Sequence, residues 1–126
     1  MNVTTKEIGN AGEELACQAL IAKGYAIIDR NARIGNVEVD ILAQAGGRLV
    51  IVEVKTRRAD HIDERFGIDR EKILRLCRAG ATYVKMKNLP LEVQIDVVLI
   101  TNNPDGTSEI EHIEDIALPP MRRRRR

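Results

Sequence analysis

Val37-Glu38-Val39-Asp40-Ile41-Leu42-Ala43, then Gly46-Gly47, then Leu49-Val50-Ile51-Val52-Glu53-Val54-Lys55-Thr56, is the stretch that decides the reading of this chain. Side chains on a strand point to opposite faces in turn, so the period-two alternation over 37–43 and the β-branched run over 49–56 predict two strands. The glycine pair between them is a hairpin turn. With the turn centred there, Asp40 stands opposite Glu53 and Glu38 opposite Lys55, with Cβ atoms about 4.5–5.5 Å apart. The other face then collects Val37, Val39, Ile41 and Ala43 against Val50, Val52 and Val54. Leu42, Leu49 and Ile51 share the charged face near the turn, so that side is part-covered as well. A bulge would send Asp40 to the opposite side.

Two carboxylates about 5 Å apart repel by about 3 kcal/mol at an effective dielectric of 20. A divalent cation offsets that, since Mg²⁺ commonly takes one or two carboxylates plus water and phosphate. Lys55 is a second offset. A third outcome is a part-exposed ion-pair cluster of Glu38, Asp40, Glu53 and Lys55 with no chemical role.

Outward from the hairpin, Thr4 and Glu7 have capping-box spacing, with Ile8, Gly12, Leu15, Ala19 and Ala22 at helical intervals and Gly24 as the stop. Residues 25–28 predict a short strand, and 57–69 a charged loop holding Phe66-Gly67 as a lid or gripping segment. A second helix is predicted over about 69–87, ended by Pro90. A strand over 91–101, a turn over 102–106 and a short edge strand over 110–113 follow. The fold class is therefore α/β: one domain over residues 1–118, with a central mixed sheet flanked by helices, and a disordered basic tail over 119–126.

The 126 residues suit one domain, and 44% hydrophobic with 31% charged is a globular composition. No apolar run approaches the length of a membrane span, and the start has no signal-peptide layout, so no membrane partner and a cytoplasmic location are expected. Cys17 and Cys77 form neither a disulfide framework nor a zinc motif and read as small hydrophobes. His61 and His112, each among acids, read as surface histidines. The net charge of +1 hides an asymmetry. The last five residues are all arginine, so the rest of the chain is acidic. Three aromatics are too few for an extended base-stacking surface.

Residues 53–88 nevertheless hold ten bases against six acids. Lys72, Arg75 and Arg78 fall on one helix flank, and Arg57 and Arg58 follow Lys55; such groups can track a phosphate backbone. The alternative is a solvated flank paired with Asp69 and Glu71.

The Asp40…Glu53-Val54-Lys55 arrangement resembles the PD-(D/E)xK, or restriction-endonuclease-like, superfamily. Within it the chain is similar to the YraN-like family of uncharacterised bacterial proteins regarded as endonucleases. The marks are Gly9-Asn10-Ala11-Gly12-Glu13 with Ala16, Gly24-Tyr25, Asn31, Arg33, residues 38–43 and 52–57, Phe66-Gly67, Lys72 with Ala79 and Tyr83, and Asp96-Val97-Val98. They run through nearly all of residues 6–118. Val39 replaces the superfamily's nominal proline, Val37 stands where glycine is usual, and Gln94 where arginine is. Of these, only the change at Gln94 bears on phosphate contact.

The resemblance implies a restriction-endonuclease-like fold and metal-dependent hydrolysis of phosphodiester bonds in DNA, with branched or damaged DNA as candidate substrates. It implies Mg²⁺ (or Mn²⁺) on Asp40 and Glu53, Lys55 at the scissile phosphate, and Glu13 completing the acidic pocket. Lys55 is read as electrostatic stabiliser and water-positioner first and general base second, because adjacent carboxylates favour its ammonium form. Glu38 is read as a partner for Lys55 or a substrate-orienting group. A homodimer is one arrangement the resemblance allows. The rival readings are a non-catalytic nucleic-acid-binding module and a protein-interaction subunit.

Overall fold

The computed structural model describes residues 4–60 and 69–116. Of the charged loop predicted over 57–69, residues 61–68 with His61 and Phe66-Gly67 lie outside the described residues, as does the predicted basic tail, while Arg57 and Arg58 belong to the third strand. Helix α1 (Thr5–Ala22) begins at the expected capping box: Thr4 Oγ1 accepts from the Glu7 N–H, and the Glu7 carboxylate accepts from the Thr4 N–H. Strands β1 (Ala26–Ile34), β2 (Val37–Ala45) and β3 (Arg48–Arg58) form a meander. Helix α2 (Arg70–Met86), capped by Asp69, crosses over to β4 (Glu92–Asn102), and β5 (Ser108–Ile113) closes the edge. The sheet order is β1-β2-β3-β4-β5, antiparallel except for the β3–β4 pair. This is the α/β domain with a central mixed sheet that the pattern predicts.

One helix covers each face. Ala16, Cys17 and Leu20 of α1 pack on Ile41, Ala43, Val50, Val52, Val98 and Ile100. Ile73 and Leu76 of α2 pack on Leu42, Leu49, Ile51, Ile95 and Val97. Gly80 lets α2 lie close: an added Cβ would stand 2.6 Å from Val93 Cγ1 and 2.8 Å from Ile51 Cδ1.

Two features depart from the sequence reading. First, β1 continues to Ile34 and pairs along β2 through a two-residue Gly35-Asn36 turn, with Gly35 at φ 61°. Second, the outer half of β2 changes face. Ile41 and Ala43 point to the α1 side as expected, but Val37 and Val39 pack on the α2 side. The switch falls at Asp40, and across the ladder from it Asn31 has φ 51° between the Arg30–Ile41 and Ala32–Val39 pairs. A left-handed residue breaks strict alternation, and asparagine is among the few non-glycine residues that adopt it readily.

The β2–β3 ladder keeps the predicted register from Ala45–Arg48 to Ile41–Val52 and stops there. Beyond it β2 stays with β1, while β3 runs on with β4 through Arg58–Asn102. The sheet thus forks, with Asp40 and Glu53 at the fork. Asn31→Val, which strains this backbone, is expected to lower stability by about 1–2 kcal/mol in urea unfolding, while Asn31→Gly changes it by less. Equal stability of valine and asparagine at this position would contradict the assignment.

Candidate active site

At the fork, the backbone N–H of Val54 has no β2 carbonyl to meet. It donates instead to Asp40 Oδ2 at 2.9 Å. Asp40 therefore does not sit in a ladder pair with Glu53, as the hairpin arithmetic predicts. It turns into the gap and lines a cleft of about 260 Å³ with Ile8, Gly9, Glu13, Val54 and Thr56. Gly12 sets the wall of that cleft: a Cβ there would overlap Thr56 Oγ1, so glycine alone lets α1 rest on β3 and bring Glu13 beside Asp40.

Glu53 comes from the other side of the fork. It is 5% exposed and lines a narrow crevice with Lys55, Asp69, Lys72 and Ile73. Its Oε2 is 3.0 Å from Lys72 Nζ and 3.9 Å from Lys55 Nζ. The nearer cation is thus Lys72 of α2, which the sequence suggested only as a phosphate-tracking base. Burial works against the Lys72 charge, but the hydrogen bond and charge of Glu53 outweigh it, and its pKa lies above the ordinary value. Glu53 Oε1 and Glu13 Oε1 are both buried with no hydrogen-bond partner. Unpartnered buried carboxylate oxygens are rare and call for an explanation.

Burial raises the Asp40 pKa to about 6; repulsion from Glu53 and Glu13 adds to this, opposed by the Val54 N–H and Lys72. The carboxylates on the two sides of the fork therefore sense one another. Among the described residues, no three acidic, histidine or cysteine groups converge to hold an ion by protein atoms alone. Asp40 and the unpartnered oxygen of Glu53, with Glu13, are the residues that could hold a cation keeping water in its shell, as Mg²⁺ does.

Other predicted residues fall elsewhere. Glu38 pairs with Arg33 across β1, not with Lys55, because the ladder has already ended. Arg57 Nε reaches Thr101 Oγ1 at 3.4 Å, and Arg58 pairs with Asp60. Arg75 and Arg78 line a surface cleft of about 200 Å³ with Ile34, Gly35 and Val37. Gln94 is buried, accepting from Arg48 and donating to Asp96, so its replacement of arginine falls in the packing on the α1 side rather than at a phosphate. His112 is not a surface residue; its side chain is 5% exposed and lies 2.7 Å from Asp96 Oδ2. Asp96, fully buried, also accepts from Tyr25 Oη and the Asp115 N–H. The signal that could have found this cluster is Asp96 itself, since an acid in the apolar 95–100 run needs several partners.

A profile of the Uncharacterised protein family UPF0102 matches residues 12–100. The UPF0102 protein of Christiangramia forsetii is 39% identical over 110 residues, covering 86% of this chain and 92% of that protein. That of Symbiobacterium thermophilum is 40% identical over 108 residues (81% and 88%), and that of Bacteroides thetaiotaomicron 37% over 116 (91% and 95%). Among solved structures, an fdxN element excision controlling factor protein from Anabaena variabilis aligns with TM-score 0.35 and 15% identity, over 76% of this chain and 92% of that one. No helix among the described residues is long and apolar enough to cross a membrane.

The raised Asp40 pKa gives a signed prediction. A carboxyl that holds its proton more tightly when folded contributes stability that is full below about pH 4 and is lost as pH rises through about 6. Asp40→Asn keeps an acceptor for Val54 and removes the charge. In metal-free urea unfolding it should be more stable than the parent at pH 8, by about 1–3 kcal/mol, with the gain vanishing near pH 4. A gain independent of pH would contradict the assignment. The chain belongs to the UPF0102, or YraN-like, family.

Proposed function

We propose that the protein is a metal-dependent nuclease that hydrolyses phosphodiester bonds in DNA, with branched or damaged DNA as the candidate substrates. One observation carries the reading. A nearly buried Glu53 has one oxygen held by two lysines and the other unpartnered, beside a half-buried Asp40 at a fork where the sheet opens. Two acids and two lysines so placed have little stabilising purpose, because a buried ion pair barely offsets its desolvation. They suit a site that receives a cation and a phosphate together.

Asp40 and Glu53 would hold Mg²⁺ or Mn²⁺. When bound, that ion supplies positive charge at the phosphoryl oxygens and makes water more acidic. Lys72 and Lys55, released from Glu53, would face the phosphate and stabilise the charge that grows on it during attack. The open oxygen of Glu13 would orient the attacking water and accept its proton. The Val54 N–H fixes Asp40, so the donor is in place before substrate arrives.

The test is cleavage of single-stranded, duplex, flapped and four-way DNA with Mg²⁺ or Mn²⁺. Asp40→Asn and Glu53→Gln should each lower the rate by at least about 100-fold, and Lys72→Met and Lys55→Met by about 10- to 1,000-fold. If the parent cuts nothing while metal-independent binding persists in every variant, the reading fails and a non-catalytic binding module replaces it. Neither cutting nor binding would point to a protein partner.

A further inference from the structure

The flank of α2 that carries Lys72 to Glu53 continues into a groove that the hydrolytic reading does not use. The Arg75–Arg78 cleft shares Ile34, Gly35 and Thr82 with a larger cavity of about 500 Å³ between β1 and the end of α2. Together they form one trough along the β1–β2 turn. Its two ends differ in chemistry. At one end stand Arg75 and Arg78, three residues apart on the helix, with no hydrogen-bonded or ion-paired partner among the described residues. At the other, the buried Leu42 and Ala32 help form the lining, with the half-buried Tyr83 beside them. Ile28 and Met86, 43% and 77% exposed, lie along the same cavity.

Charge selects the ligand. The trough carries Arg33, Arg75, Arg78 and Lys87 against one carboxylate, Asp29, whose Oδ1 is taken by the Arg30 N–H. Lys87 Nζ lies 5.7 Å from the centre of the Tyr83 ring, so a cation already meets the aromatic face. Unpaired arginines joined to an apolar compartment holding a ring match a group that is anionic at one end and flat at the other. The volume lies in the range of small-molecule sites.

We infer that this trough binds one unpaired nucleotide of a nucleic-acid strand, with its phosphate at Arg75 and Arg78 and its base against Tyr83. The choice of ligand rests on the nucleic-acid reading above, but the site is separate from the carboxylates. Tyr83 lies eleven residues after Lys72, about 16 Å along the helix axis. The captured base therefore belongs to a nucleotide a few positions from the phosphate at the fork. A base inside a duplex cannot enter such a compartment without leaving its stack, so the trough favours single-stranded, flapped or distorted substrates.

The experiment is fluorescence anisotropy of a short labelled single-stranded oligonucleotide, and of its duplex, in EDTA. The protein is the full-length chain with residues 122–126 changed from arginine to glutamine, which removes the tail's charge. Tyr83→Leu keeps apolar volume and loses the flat ring; Arg75→Gln with Arg78→Gln removes the anion end. Each should weaken single-strand binding about tenfold or more, with Tyr83→Leu changing duplex binding less than about twofold. Melting curves and Tyr83→Phe, expected to bind like the parent, separate lost contact from lost fold. Unchanged single-strand affinity in Tyr83→Leu overturns the inference, even if the arginine variant weakens, since a phosphate track alone would do that. So does a parent that does not bind the single strand. Binding in EDTA reads the trough and metal-dependent cleavage reads the carboxylates, so failure of the hydrolytic reading and failure of this one show in different assays.

Discussion

The hydrogen bond from the Val54 N–H to Asp40 Oδ2 is the constraint around which the site is built. Where two paired strands part, each loses ladder partners, and an unpaired backbone donor in a covered region is costly. A carboxylate that reaches across the gap supplies the missing acceptor and keeps the fork open. It does so at the expense of its own hydration, which is why burial leads the causes that lift the Asp40 pKa.

The acidic cluster around Asp96 and the one at the fork differ in a telling way. Asp96 is fully enclosed and has both oxygens engaged, by Tyr25, His112, Gln94 and the Asp115 backbone. Burial, and then the hydrogen bond and charge of Asp96, push the Tyr25 hydroxyl above its ordinary pKa. This cluster ties β4 to β5 and to the turn after α1; it is a satisfied network of the kind that specifies a fold. Glu53 and Glu13 instead each keep an open oxygen. An acid that the fold leaves partly unsatisfied, beside a lysine whose charge it stabilises, is the better candidate for chemistry.

Much of this was legible in the residues. The glycine turn and the alternation around it predict the register from Ala45–Arg48 to Ile41–Val52, and Glu53-x-Lys55 on one face follows from the period of a strand. The capping box of α1, the extent of α2 and the edge strand β5 were equally readable. The face switch at Asp40 was not, because it depends on a left-handed Asn31 on the neighbouring strand, and nothing in the composition of β1 announces it. The length of β1 was hidden for the same reason: the switch erases alternation over 29–34. Lys72 was visible as a base on a helix flank, but its reach to Glu53 depends on how α2 packs across the sheet. His112 looked like a surface residue because its neighbours are acidic; Asp96 draws it inward.

Paramagnetic broadening of backbone amide signals by substoichiometric Mn²⁺ tests the central claim most directly, since it locates a bound ion without requiring turnover. The account predicts broadening centred on Ile41, Glu53 and Val54 with the amides around Glu13, lost in Asp40→Asn and in Glu53→Gln. Broadening centred on another part of the surface, or a uniform weak effect that survives both substitutions, would contradict it.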